Sequence, residues 1–141
     1  MLSLEYIAGY VDGEGSIGVY SGTNKSGRNG YHLTVSVANT FPCAVAELKS
    51  RFGGSIRQKP SPQTAHRTQY LWQVTGDNAR AFLAAIIPFL VEKKPQAQLA
   101  LTLPKRSNHG RMTLPEHSIM DEQERIAHTL KQMKRTTKER C

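Results

Sequence analysis

The chain has 141 residues, of which 38% are hydrophobic, and it carries a formal net charge of +8 at pH 7. This length and composition fit a single globular domain with its own core, and they argue against a membrane span, which needs about 18 consecutive apolar residues. Two cysteines, Cys43 and Cys141, are too few for a disulfide framework or a Cys-rich zinc site, and the N-terminus has no basic region ahead of an apolar one, so we expect an intracellular protein without a secretory signal.

The first half of the chain predicts a helix, a hairpin and a second helix. The predicted elements are a helix over 4–12, strands over 16–21 and 31–37 joined by a polar loop over 22–30, and a helix over 44–52. The second strand shows the clearest alternation, with apolar Leu33, Val35 and Val37 on one side. Pro42 suits the first turn of the helix that follows, and Gly53 and the next glycine end it.

The second half predicts another hairpin followed by helices. The predicted elements are strands over 55–59 and 68–75 joined by a loop over 60–67, helices over about 77–90 and 92–103, an irregular stretch over 105–115, an amphipathic helix over 121–134 and a frayed basic tail over 136–141. Asp77 is expected to cap the first of these helices, and Pro95 to lie in the first turn of the second. This order predicts an α+β fold with one antiparallel sheet, as a single domain over 1–141 with a core over about 4–103 and a C-terminal helical extension over about 116–135.

One face of this sheet is predicted to be open and polar, and the charge around it is of one sign. Between Gly15 and Gly76 the only acidic residue is Glu47, against seven lysines and arginines. An ordinary solvent-exposed face mixes charges of both signs. The one-sided charge therefore favours a face that binds double-stranded DNA over a face that is merely solvated. The predicted DNA-binding residues are Ser16, Tyr20, Lys25, Arg28, His32, Thr34, Ser36, Arg57, Lys59, Arg67, Gln69 and Gln73.

The strongest local signal is the segment from Tyr6 to Ser16, YIAGYVDGEGS. It resembles the signature of the LAGLIDADG homing endonucleases, with residues 7–15 on the nine motif positions and Glu14 in place of the second Asp. The segment PFLVEKKPQA over 88–97 is similar to the family segment that carries a catalytic-site lysine, with Lys93 as the counterpart. The resemblance covers about residues 4–103 and implies the family's fold, in which a saddle-like antiparallel sheet of two hairpins is backed by helices.

The resemblance further implies a metal-dependent endonuclease that makes a double-strand cut in a long, roughly palindromic DNA target. Glu14 would bind Mg²⁺ or another divalent cation, with the Gly13 carbonyl as a further ligand. Lys93 would offset charge on the phosphate or position the water, where a solvated lysine is the alternative. Asn39, where the family often has Gln or Asn, would hold a water, and a cap ahead of the next helix is nearly as good an interpretation. No Walker loop or Cys/His finger is visible, so no small-molecule cofactor is expected.

Two glycines in the motif helix point to a close neighbour. Gly9 and Gly13 are four residues apart and so share a helix face, and each costs the helix about 1 kcal/mol relative to Ala. In the family the motif helix packs against a second copy of itself, and this chain has one copy, so the resemblance implies a homodimer. The predicted interface comprises Ala8, Gly9, Asp12 and Gly13. Two Glu14 carboxylates brought together would repel unless a cation stood between them.

Two other functions are compatible with parts of this pattern. An intron maturase or a non-cleaving nucleic-acid-binding relative would share the basic sheet, although Glu14 and Lys93 argue against loss of cleavage. A membrane-surface protein would share the amphipathic helix near the C-terminus. That helix carries Asp121, Glu122 and Glu124, which anionic lipid would repel.

Overall fold

The computed structural model describes residues 1–23, 29–59, 68–104 and 114–139. The elements in chain order are α1 (Leu4–Glu14), β1 (Gly15–Thr23), β2 (Asn29–Asn39), α2 (Pro42–Phe52), β3 (Ser55–Lys59), β4 (Gln69–Thr75), α3 (Gly76–Ile86), a 3-10 turn (Ile87–Phe89), α4 (Lys94–Leu101) and α5 (Leu114–Glu139). The predicted α+β order is confirmed. Most of the two predicted hairpin loops and of the irregular stretch lies outside the described residues.

The four strands form one antiparallel sheet in the order β1-β2-β4-β3. Val35 on β2 pairs with Ile17 on β1 and with Val74 on β4, and all three side chains are buried under the helices. Because side chains alternate across a strand, this register fixes which residues face the helices and which face away. The side away from the helices is called the open face below.

The helices cover the other face and complete the core. Trp72 on β4 lies edge-on against Phe82 of α3, with ring centroids 5.0 Å apart, and its indole Nε1 donates to the Gly53 carbonyl at 2.8 Å. Phe82 in turn packs against Phe52 of α2 at 4.8 Å. Aromatic pairs of this geometry add about 0.5–1.5 kcal/mol to the free energy of burial. The end of α2 is therefore fixed to the second hairpin, and α2 ends at Phe52, directly before Gly53, as predicted.

The long α5 packs on this core beside β1 and α4. Ile126 and Leu130 are at most 1% exposed and belong to the same hydrophobic cluster as the sheet. The helix is longer than the predicted 121–134 at both ends, and the buried apolar residues that give the periodic signal, Ile126 and Leu130, lie in its middle. The predicted fraying from residue 136 is wrong as far as Glu139, since the backbone is helical up to that residue.

One predicted helix start is also wrong. Asp77 lies in the first turn of α3 rather than at its N-cap, which is Thr75 without a side-chain cap bond. Gly76, with φ of 63°, lets the chain turn directly from β4 into the helix, and only glycine adopts that conformation cheaply. Among the described residues, no helix is both long and apolar enough to cross a membrane.

Candidate nucleic-acid interface and cleavage site

The site begins at the C-terminal end of α1. Ser3 caps the start of this helix by accepting the Tyr6 N–H, and Ile7 and Val11 bury one side of it in the core. Gly15 ends it, since an added Cβ would lie 2.7 Å from the Val11 carbonyl oxygen, and any other residue would force the junction with β1 apart. Glu14 is the last helical residue and is exposed. The sequence thus holds one carboxylate in solvent on a rigid support.

Asp12 fixes a second element beside this helix end. Its two carboxylate oxygens accept the backbone N–H groups of Val91 and Lys93, at 2.8 and 2.9 Å. The Lys93 Nζ donates back to the Asp12 carbonyl at 2.5 Å, one of the carbonyls that a helix leaves unpaired at its C-terminus. Lys93 is half-buried and is also the N-cap of α4. Three hydrogen bonds therefore place a lysine ammonium next to the turn that carries Glu14.

Tyr10 extends the same side of α1 toward Glu14. Burial, then the neighbouring Tyr6 and then the charge of Glu14 raise the pKa of Tyr10 above its ordinary value. The two tyrosine rings lie 5.7 Å apart. A tyrosine hydroxyl is protonated at neutral pH even at its ordinary pKa, so the Tyr10 hydroxyl is available as a hydrogen-bond donor one helical turn before Glu14. The sequence did not predict a role for Tyr10, because a tyrosine one helical turn before an acidic residue is a common pattern.

The open face has the polar composition predicted for it. Ser16, Ser36 and Gln73 form a row across β1, β2 and β4, and Ser55 of β3 continues it. The exposed cations Arg57 and Lys59 lie on the open side of β3, since Ile56, which precedes Arg57, pairs with the buried Trp72 and side chains alternate along the strand. The remaining predicted contacts that are exposed here are Tyr20, His32 and Gln69.

The structure corrects one of the predicted contacts and leaves three undescribed. Thr34 is only 7% exposed, because it lies in a central strand between Gly18 and Thr75 and the Tyr20 ring folds over Gly18 next to it. It has too little free surface for a substantial contact with DNA. Lys25, Arg28 and Arg67 lie outside the described residues.

Asn39 makes a local contact at the end of β2. Its Oδ1 accepts the Phe41 N–H at 2.8 Å, a turn that leads into α2. By alternation Asn39 follows Val37 on the helix-covered side of the sheet rather than Ser36 on the open face. This contact is an Asx-type turn ahead of α2 rather than a helix cap, since the N-cap is Phe41 and has no side-chain cap bond, and the water-holding role stays a prediction.

The exposed side of α1 contains the two motif glycines. Gly9 and Gly13 are exposed, and a Cβ added at either would meet no atom within 4 Å. Ala8, by contrast, is fully buried in the chain's own core, so its assignment to the dimer interface is wrong. Asp12 remains half-buried with its carboxylate bonded within the chain.

Comparison with known proteins identifies the fold. No protein-family model matches the chain, and no curated protein does. Solved structures do match: the homing endonuclease I-CvuI in complex with a DNA target has a TM-score of 0.72 at 19% identity, covering 92% of this chain and 80% of that one. The archaeal intron-encoded homing endonuclease I-Vdi141I, complexed with DNA, has a TM-score of 0.65 at 17% identity over 92% and 82% of the two chains.

I-TnaI, another homing endonuclease, matches nearly end to end, with a TM-score of 0.60 at 20% identity over 98% of this chain and 97% of that one. The chain has the LAGLIDADG homing endonuclease fold. Helix α1 carries the segment that resembles the family motif, and the sheet beside it is the four-stranded sheet with the polar open face. At these identities the match establishes the architecture, and the chemistry has to be argued from the side chains.

The donors at this site suit a hard divalent cation. Glu14 offers carboxylate oxygens and the end of α1 offers backbone carbonyls, which are the ligand types that Mg²⁺ prefers. The described residues contain no group of three or more His, Cys, Asp or Glu side chains that could hold a metal. That donor set fits Mg²⁺, which binds through one or two carboxylates and completes its shell with water and substrate phosphate. It does not fit a structural zinc centre, which needs four protein ligands.

Proposed function

We propose that the chain is one subunit of a homodimeric endonuclease that binds double-stranded DNA on its open face and hydrolyses a phosphodiester bond in each strand. The observation that carries this proposal is the exposed Glu14 carboxylate at the rigid end of α1, with the Lys93 ammonium fixed beside that end and a polar, basic sheet face next to it. The I-CvuI and I-Vdi141I neighbours, which are complexes with DNA, support the choice of ligand.

Glu14 and the Gly13 carbonyl would hold the divalent cation in this proposal. I-CvuI has been crystallised with DNA in 2 mM Mg and in 2 mM Ca, which supports a divalent cation here without distinguishing Mg²⁺ from another. When bound, the cation supplies a nucleophilic water at neutral pH and neutralises the charge on the leaving oxygen.

The protein's own contribution is position and charge. Lys93 places a positive charge where phosphate oxygens gain negative charge, and it cannot swing away easily because its backbone and its ammonium are both bonded to Asp12. Tyr10 lies one helical turn before Glu14 and offers a hydroxyl that can donate a hydrogen bond. Arg57 and Lys59 provide charge for the phosphates on either side of the bases that the sheet reads.

The dimer is proposed because no described residue of the chain covers the glycine face of α1. A Cβ added at the exposed Gly9 or Gly13 would meet no atom within 4 Å, and Tyr6, three residues before Gly9, is 52% exposed. A second copy of this helix would fill that space by close backbone approach, which offsets the cost of two glycines in a helix. A two-fold dimer would bring two Glu14 carboxylates to one site, and it would read a roughly palindromic target, one half per subunit.

The decisive experiment is selection of cleaved molecules from a randomised duplex library with Mg²⁺, using wild type, Glu14→Gln and Glu5→Gln. Glu14→Gln should abolish cleavage and leave binding largely intact, because it removes a charged ligand and keeps the shape. Glu5→Gln is the matched control, since Glu5 is exposed at the other end of α1. Cleavage by Glu14→Gln at the wild-type rate would show that the metal site is wrongly assigned, and specific binding without any cleavage by wild type would favour the non-cleaving alternative.

A further inference from the structure

One lysine in the C-terminal part of α5, Lys134, extends past the edge of the sheet. Helix α5 buries Ile126 and Leu130 on the helix-covered side of the sheet. The Lys134 Nζ nevertheless donates to the Ser16 Oγ at 2.9 Å, and Ser16 belongs to the open face. Because β1 is an edge strand, the Lys134 side chain can pass around it. The ammonium therefore stands on the open side of β1, although its helix lies behind the sheet.

Gly18 makes room for an aromatic surface next to this ammonium. Gly18 lies between Ser16 and Tyr20 on the open face, and an added Cβ would come within 2.6 Å of the Tyr20 ring. The ring thus occupies the space that a larger residue would fill. The Lys134 Nζ is 5.9 Å from the centroid of this ring, within the range of a cation–π contact. Any side chain at position 18 would push Tyr20 away and loosen this contact with Lys134.

The contacts with Ser16 and Tyr20 do not neutralise the charge of the Lys134 ammonium. An ammonium has three donors, and Ser16 accepts one of them. In the described part of the chain, the carboxylates of Glu47 and Glu122 pair with Arg51 and Arg125, and none pairs with Lys134. A half-buried lysine that is held in one place by a hydroxyl and a ring, with donors left over, is prepared to bind an anion at little further cost in side-chain entropy.

We propose that Lys134 is a DNA-positioning residue, which binds a backbone phosphate close to the bond that is cut. This inference rests on the function proposed above. Ser16 is two residues from Glu14, so its Cα lies roughly 7 Å further along the chain in extended conformation. A phosphate held at Lys134 would fix the strand next to the carboxylate. The C-terminal helix then serves both the core and the substrate, a role that no residue spacing in the sequence indicates.

The test separates a phosphate contact from a mere tether between α5 and β1. Lys134→Met keeps the aliphatic stem and removes the charge, and Lys134→Arg keeps the charge. The matched control is Lys131→Met on the same helix. Lys131 is exposed and lines a hollow with Val19, Tyr20 and Tyr31. Its replacement removes the same charge from the same helix and leaves the Lys134 contact with Ser16 in place.

Binding of a fluorescent mixed-sequence DNA duplex in Ca²⁺ is measured over a range of salt concentrations, and cleavage of the selected target in Mg²⁺ is measured at saturating protein. For Lys134→Met we expect the slope of log K against log salt to fall by about one and the cleavage rate to fall by about tenfold or more, since a misplaced substrate reacts slowly. Lys134→Arg should recover most of both, and Lys131→Met should resemble wild type.

Three results would overturn the proposal, and they are distinguishable. If wild type fails to bind the duplex, both the proposed function and the role of Lys134 fall. If wild type binds and cleaves but Lys134→Met has the same salt slope and cleavage rate as Lys131→Met, only the role of Lys134 falls. A lower unfolding free energy with an unchanged salt slope would also count against it, because that is the signature of a tether.

Discussion

Replacing Gly9 by Leu separates the stability of one chain from the stability of the assembly. Within one chain, a Cβ at Gly9 meets no atom within 4 Å and the position is exposed, so a larger side chain can extend into solvent. Leu is also the better helix former by up to about 1 kcal/mol. The isolated subunit should therefore become more stable, and for a chain of this size that corresponds to a melting temperature about 2–4 °C higher. The proposed dimer should be lost, because Leu prevents close approach of a second backbone.

Gly15→Ala is the comparison variant, because it fails for the opposite reason. Its Cβ would lie 2.7 Å from the Val11 carbonyl oxygen and 2.9 Å from the Val11 Cα, so the helix end must shift. Overpacking of this kind costs about 1–3 kcal/mol in a single chain. Sedimentation gives the assembly state, and thermal unfolding at several protein concentrations gives the stability of subunit and dimer. A dimeric and fully active Gly9→Leu variant would refute the interface, and so would a wild-type monomer that cuts both strands of an asymmetric site.

Two further predictions concern the sheet and the Asp12 contact. Arg57→Ala or Lys59→Ala should weaken DNA binding and lower the salt slope by about one if the side chain contacts phosphate, or relax specificity at one base pair by about 1–3 kcal/mol if it contacts a base. The control is Lys49→Ala, which replaces an exposed lysine on α2. Unchanged binding in both β3 variants would remove β3 from the interface. Asp12→Ala should cost about 1–3 kcal/mol in unfolding free energy, since two N–H groups lose a charged acceptor. Asp12→Ala should also slow cleavage. Because Asp12 acts through Lys93, the reductions in cleavage rate caused by Asp12→Ala and Lys93→Ala should not add in the double variant, which is checked by the cleavage kinetics of wild type, the two single variants and the double variant. Additive reductions would contradict this coupling.

The sheet was predictable from the sequence because a strand has a period of two. The alternation of Leu33, Val35 and Val37 with polar neighbours fixes which side of β2 is covered, and the same holds for Trp72 and Val74 on β4. Once the two hairpins pair, Arg57 and Lys59 necessarily face away from the core. Thr34 was misjudged because its cover comes from the fold of Tyr20 over Gly18, which is a matter of one rotamer and has no periodic signal.

The contacts that build the site were less predictable, since they join residues far apart in the chain. Asp12 was expected at a subunit interface, whereas its carboxylate binds backbone groups 79 and 81 residues later. Lys134 reaches Ser16 across 118 residues. Ala8 was placed on the glycine face, yet it lies one position round the helix on the buried side. A helix turns about 100° per residue, so adjacent motif positions serve different neighbours.

The way α1 divides its surface explains how an exposed carboxylate can be held in a defined place. Ile7 and Val11 anchor one side of the helix in the core, and Asp12 ties its end to the turn before α4. Glu14 itself is exposed, so a cation can approach it, while its backbone shares the rigidity of the buried side. A carboxylate on a loop would have the same chemistry and a less defined position, and metal-assisted hydrolysis depends on position. Substitutions that loosen the end of α1 should therefore reduce cleavage before they unfold the chain.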